Sequence, residues 1–263
     1  MRDFTVEIYK ELLLALKEAE YQFITYEDYC RGMYSSSKWI ILRHDVDDRK
    51  SHSLEFAQVQ NTLGIKGVYY FRIVPESYDP KVIKEIYSLG HEIGYHYEDM
   101  DWAHGDNTEA FEFFKKHLQL LRESVPINTI CMHGSPLSKY DNRDIWRNYS
   151  YKNLGIIGEP YFDFDFNTVF YITDTGRAWD GHKYNLRDKA PIENPLTNPD
   201  FINRKYHSTK DIIQAILNGT YPNKVMMNFH PERWTDNNGQ WIKQFVKQNL
   251  KNQVKRLILL ARQ

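Results

Sequence analysis

The residues Arg43-His44-Asp45-Val46-Asp47-Asp48 close an apolar run that begins at Trp39. They read as the end of a β-strand that delivers acids to a site. Alternate side chains of an extended strand share a face, so Asp45 and Asp47 point the same way, with Arg43 behind them. Two carboxylates held close together repel, and a metal or a proton on one of them relieves the repulsion. The chemistry this permits is a division of labour: one acid holds a divalent cation and the other accepts a proton. Asp48 reads as a solvated cap for the helix that follows.

Such a pair needs a frame, and the sequence supplies one. Apolar residues at Ile8, Leu12, Ala15, Leu16 and Ala19 predict an amphipathic helix over about 5–20. Strands are expected at 39–45, 67–74, 91–97, 128–133, 155–158, 168–173 and 224–229. Helices are expected at 51–63, 80–89, 108–124, 208–218 and 241–260, several of them ended by Gly. The polar stretch 174–203, with Pro191, Pro195 and Pro199, reads as a long functional loop. Strands and helices alternate almost throughout, which implies a parallel sheet or barrel with one core. In such folds the site gathers at the carboxyl ends of the strands. Titratable residues recur there: Asp45 and Asp47, then His96, His133, Asp174 and His230.

Composition narrows the class. The chain has 263 residues, 41% hydrophobic and 26% charged, with a net charge of -1. That size fits one large α/β domain or two small ones, and the balance gives no charge signal for nucleic acid or a membrane surface. Two cysteines, Cys30 and Cys131, cannot make a disulfide framework. The opening residues lack the form of a signal peptide, and Leu12–Leu16 is too short to span a bilayer. The expectation is a cytoplasmic protein. There is no Walker loop, no Gly-x-Gly-x-x-Gly and no Gly-x-Ser-x-Gly, which disfavours a nucleotide cofactor and a serine hydrolase.

From about Trp39 to Trp234 the ordered motifs resemble the polysaccharide deacetylase family, carbohydrate esterase family four. Asp45-Val46-Asp47 matches its Asp-x-Asp, and Gly90-His91-Glu92-Ile93-Gly94-Tyr95-His96 its second motif. Val225-Met226-Met227-Asn228-Phe229-His230-Pro231 is similar to the terminal strand, and Thr173 to Asp180 to the motif whose acid and Trp flank that His. The resemblance implies a distorted (β/α) barrel of about seven parallel strands, as a single domain over 1–263. It makes Asp45 the general base, Asp47 and His96 metal ligands, and His230 the general acid. Asp174 would tune His230, with Asp180 as the alternative partner.

The family's second metal-binding His is replaced by Met100. A thioether is a poor ligand for a hard or borderline ion. Glu98, Asp99, His104 or His133 can fill the gap, and His133 ranks first because it ends a neighbouring strand. The implied cofactor is a divalent metal, Zn²⁺ above others, since catalytic zinc needs three protein ligands. Substrate contacts are expected from Arg43, Tyr97, Arg177 and Trp179. Arg43 has either Asp45 or a phosphate as its partner, and Arg177 and Arg187 suit a nucleotide-sugar diphosphate. The stretches His133 to Asp141 and Gly158 to Asp163 resemble deacetylase-like proteins of O-antigen and other surface-polysaccharide clusters. The implied substrate is an N-acetylated sugar, nucleotide- or lipid-linked or polymeric. His44, His52, His91, His117, His182 and His207 read as structural. Two other readings stay open: a carbohydrate-binding protein without catalysis, and a glycoside hydrolase using Asp45 with a second carboxylate.

Overall fold

The computed structural model describes residues 2–134, 138–179, 201 and 204–261. Seven strands make up one sheet: β1 (Gln22–Ile24), β2 (Trp39–Val46), β3 (Val68–Phe71), β4 (Glu92–Tyr97), β5 (Ile130–Met132), β6 (Phe170–Thr173) and β7 (Lys224–Phe229). Every pairing is parallel, in the order β5-β4-β3-β2-β7-β6, with β1 added beside the start of β2. Among the described residues β5 and β6 do not pair. The sheet is therefore a curled half-barrel rather than a closed barrel.

β2 is the spine. It pairs with β3 on one side and β7 on the other, and all eight of its residues are buried. A strand covered on both faces is apolar in continuous run rather than alternation, as Trp39 to Leu42 shows. Its even-numbered side chains, with Tyr69, Tyr95 and Phe229, join the helices in the outer core. Trp39 and Ile41 face the hollow of the sheet with Val68, Tyr70 and Met226, beneath Tyr26 and Phe164. The hollow is apolar at its foot and becomes ionic at Arg43 and Asp45, towards the carboxyl ends of the strands.

Local signals explain the outer layer. Thr5 caps the helix Val6–Glu18 by accepting from Ile8 N–H, and Asp106 caps Asn107–Arg122 by accepting from Glu109 N–H. Pro80 opens Pro80–Ser88 behind the Asp79 cap. Two expectations need correcting. Helix Lys50–Thr62 is preceded by Arg49 in the left-handed region, φ 53°, with no side-chain cap, so Asp48 does not fill that role. Residues 155–158 give only a single bridge, Thr129 to Gly158. The strand Gln22–Ile24 and helix Tyr26–Arg31 went unread because elements of 3 and 6 residues are too short to establish a period. Much of the expected loop 174–203 lies outside the described residues.

Candidate metal centre and acid–base pair

The polar cluster is assembled by strand ends. Inner-face alternation on β2 aims Arg43 and Asp45 into the hollow, and Asp47 follows one residue past the strand. Arg43 donates to Asp45 through Nε (2.8 Å) and Nη2 (2.7 Å), and Asn228 of β7 adds a third bond to Asp45 Oδ2 (2.9 Å). Of the two partners open to Arg43, it is Asp45 that it meets. Burial raises a carboxylate, but the Arg43, His96 and His230 charges outweigh it and hold Asp45 at about 2.

His96 reaches the same place from β4. Gly94, two residues earlier on the same face, lets β4 lie flush against β3: a Cβ there would run into the Tyr70 ring. His96 Nδ1 lies 2.9 Å from the Cys131 carbonyl, a contact only an N–H can make, so Nδ1 carries a proton and the neutral ring keeps its lone pair on Nε2. His133, just past β5, does the same with a carboxylate: its Nδ1 is 3.0 Å from Glu98 Oε2. Glu98 is gripped from the other side by Arg72, through Nε at 3.0 Å and Nη2 at 2.7 Å. Burial would raise Glu98, yet His133 and Arg72 hold it at about 2. Arg72 also donates to the Asp47 carbonyl at 3.1 Å, which ties Glu98 to the turn bearing Asp47.

The two free nitrogens converge. His96 Nε2 lies 3.5 Å, and His133 Nε2 3.6 Å, from the same oxygen, Asp47 Oδ1. That oxygen is buried and makes no hydrogen bond among the described residues. With a proton on each Nδ1, the neutral rings turn both Nε2 lone pairs towards the same carboxylate oxygen. Such an arrangement is costly empty and suited to a cation. The donor set Asp47, His96 and His133 fits a metal ion on those grounds. Met100, at the position of the replaced histidine, is buried in the helix Asp99–Trp102 within the outer core. Asp99 bonds Tyr95 and His117, and His104 is exposed in a turn at φ 49°.

His230 faces the cluster from the end of β7. Its Nδ1 is 2.6 Å from Asp174 Oδ1, its backbone N–H donates to Asp174 Oδ2 (3.1 Å), and its Nε2 is 3.9 Å from Asp47 Oδ2. Trp234 Nε1 (2.7 Å) and Arg233 Nη1 (3.1 Å) complete the grip on Asp174. Burial and Arg233 push His230 down, but Asp174 and Asp47 prevail and raise it to about 9. The alternative partner Asp180 lies outside the described residues, as do Arg187 and His182.

Of the expected substrate contacts, Arg43 reaches this cluster, whereas Tyr97, Trp179 and Arg177 do not. Tyr97 alternates away from His96 into the outer core, where its hydroxyl accepts from Trp146 Nε1 (2.9 Å). Trp179 is buried beside Phe229 and Trp234 and donates to Thr209 (2.9 Å). Arg177 stacks over Trp241, 4.8 Å from the ring centroid. In each case the packing of an aromatic or a long stem fixes the direction. The roles of Arg72, Asn228, Arg233 and Trp234 went unread. Arg233 and Trp234 follow His230 closely and carried a signal, whereas Arg72 becomes visible only when β3 is laid beside β2. Histidines read as structural behave so: His91 accepts from Gly67 N–H and reaches the Ala57 carbonyl, and His52 reaches the Trp234 carbonyl.

No family model matches the chain, and no curated protein matches it. Among solved structures it is similar to members of carbohydrate esterase family 4 at low identity. A pseudoenzyme of that family from Bacillus anthracis is 10% identical over 83% of this chain and 63% of its own, with a TM-score of 0.43. Bacillus subtilis PdaA, a family 4 carbohydrate esterase, is 12% identical over 91% and 83%, with a TM-score of 0.40. An esterase of the family from Streptococcus mutans is 14% identical over 90% of each chain, with a TM-score of 0.42. The likeness is distant in every case, and the chain spans less than two thirds of the Bacillus anthracis protein.

Proposed function

We propose that this chain is a metal-dependent carbohydrate N-deacetylase, hydrolysing the amide of an N-acetylated sugar during surface-polysaccharide (O-antigen-type) synthesis in the cytoplasm. One observation carries the reading. Two imidazole Nε2 atoms, each on a ring anchored through its Nδ1, converge on a buried carboxylate oxygen that has no hydrogen bond among the described residues. His96 and His133 would hold the ion through Nε2 and Asp47 through Oδ1, a set that suits Zn²⁺ with a fourth position open. When bound, such an ion polarises a carbonyl and lowers the pKa of water.

The chain's own groups do the rest. Asp45, with Oδ2 3.8 Å from His96 Nε2, takes the proton of the attacking water. His230, raised to about 9 and therefore charged at neutral pH, gives its proton to the departing amine as the C–N bond breaks. Asp174 fixes the ring so that Nε2 faces the site. One observation favours a second reading, sugar binding without hydrolysis: at about 2, with three hydrogen bonds from Arg43 and Asn228, Asp45 is a weak base.

Elemental analysis of protein purified without chelator or affinity tag, beside His96→Ala and His133→Ala, tests the centre. About one divalent ion per chain, lost in both variants, is expected. Acetate release from N-acetylated oligosaccharides then separates the two readings, and a new reducing end in its place would indicate glycosidic cleavage. Absence of metal from all three proteins after dialysis against zinc would overturn the deacetylase assignment.

A further inference from the structure

Over residues 242–253 the helix Asn238–Ala261 carries polar side chains inward and an apolar stripe outward. The residues it turns towards the body are polar: Gln244 donates to the Glu232 carbonyl (3.1 Å) and Asn252 to the Gly176 carbonyl (2.9 Å). One of the faces it turns to solvent is apolar. Ile242 is 57% exposed, Phe245 48%, Val246 51% and Leu250 65%. At 3.6 residues per turn, positions three and four apart share a face, so these four form one stripe. Lys243, Lys247 and Lys251, all exposed and each four residues on from the last, form a second stripe beside it.

The charge is as segregated as the hydrophobicity. Residues 237–263 hold six basic residues and no acid, while the rest of the chain holds 28 basic and 35 acidic residues. The near-neutral total conceals this. An apolar stripe edged by lysines, with no acid on its own helix, is unsuited to water, and two such faces paired antiparallel would set lysine against lysine. The Lys247 charge already depresses Lys251, after burial, the larger cause. Negative charge beside an apolar layer satisfies both stripes.

We propose that this face lies on an anionic lipid surface, with the helix parallel to the bilayer plane. Ile242, Phe245, Val246 and Leu250 enter the boundary between headgroups and acyl chains, and the lysine stripe meets the lipid phosphates. The helix lies on the membrane and does not cross it: no described helix is long and apolar enough to span. Its polar side packs on the turns that follow Asp174 and His230, so the docked surface backs onto the polar cluster. The proposal stands independently of the deacetylase reading.

Co-sedimentation of the full chain with phosphatidylcholine vesicles, with and without phosphatidylglycerol, tests it. Binding is expected only with phosphatidylglycerol, and it weakens as salt rises. Lys243→Glu/Lys247→Glu is expected to lower binding at least about tenfold. Phe245→Ser/Leu250→Ser, which keeps every charge, is also expected to lower it. All four side chains face solvent, and circular dichroism confirms that the variants fold. Equal uptake by neutral vesicles, or uptake indifferent to the charge reversal, would overturn the proposal. So would no uptake at all, including the case in which light scattering finds a dimer that Phe245→Ser dissolves.

Discussion

His44, on β2, and His230, just past the end of β7, are both buried histidines; burial pushes both down, yet they end on opposite sides of the ordinary value. His44 belongs to the body of the sheet, where its ring stacks on Tyr69 and its nitrogens meet the Val68 carbonyl (3.0 Å) and the Tyr9 hydroxyl (3.1 Å). With no carboxylate in contact, burial pushes it down to about 3 and it stays neutral. His230 stands on the rim with Asp174 and rises to about 9. Carboxylates repeat the contrast. Glu92, at the foot of β4 with Thr129 and the Glu27 N–H, is pushed by burial up to about 7, while Asp45 at the head of β2 is held at about 2 by Arg43. Desolvation acts in both regions. What differs is an opposite charge within hydrogen-bond reach. In these two pairs the rim group keeps its charge and the body group refuses it.

Paired substitutions put the greatest strain on that contrast. His230→Ala is expected to lower acetate release per folded molecule by about 10²–10⁴-fold, the range of a general acid, with metal content unchanged. His44→Ala is expected to destabilise by about 3 kcal/mol, through a cavity beneath Tyr69 and two lost hydrogen bonds. Its folded fraction keeps the metal. Denaturant titration and metal content on the same samples read both effects. Loss of metal from well-folded His44→Ala would break the division between body and rim.

Glu92 sharpens it through pH. Its folded value, about 7, lies above the ordinary 4.5, so the folded state binds more protons between the two. Stability from this group therefore falls as pH rises from about 4.5 to about 7, and the penalty is complete above that, on the order of 3 kcal/mol. Asp45 has the opposite sign. Its folded value of about 2 is below the ordinary 3.8, so its contribution is lost only as pH falls through that window. Urea midpoints of Glu92→Gln and the parent are expected to converge near pH 5 and separate near pH 8, with the variant more stable. Parallel curves across that range would refute the assignment of Glu92 as a strained body carboxylate.

Much of the rim was legible because a strand has a period of two and ends in a known direction. That arithmetic gathers Asp45, Asp47, His96, His133, Asp174 and His230 at the strand ends, while the pairing of His230 with Asp174 and the roles of Asp47 and His96 are what the family resemblance implies. The same arithmetic sets Tyr97 against His96, since adjacent residues on β4 face opposite ways. Trp179 and Arg177 follow β6 in irregular chain, where no period applies and aromatic packing decides direction. The pairing of Arg72 with Glu98 depends on the register of β3 against β4, which alternation along one strand cannot supply. Net charge misled for a different reason. A total of -1 averages an acidic body with a basic final helix, and the polar inward face of that helix reverses the usual reading of its apolar positions.

The smallest expected effect tests how the rim holds a ligand. Glu98 accepts from His133 Nδ1 on one side and from Arg72 on the other. The carboxylate thus fixes the tautomer that leaves His133 Nε2 unprotonated, and it does so with its own charge already matched by a guanidinium. Glu98→Gln keeps the shape, removes the charge and offers its amide N–H₂ to one of two donors that cannot accept it. Arg72 then competes with His133 for the single remaining oxygen. Zinc affinity, measured against a competing chromophoric chelator, is expected to fall about 10–100-fold, with the fold retained. His230 has its own carboxylate and no bond to Glu98, so the alkaline limb of the activity profile should stay where it is in the parent. An unchanged zinc affinity would remove His133 from the ligand set, because a ligand's tautomer cannot be released without cost. The centre would then have only Asp47 and His96, too few for catalytic zinc.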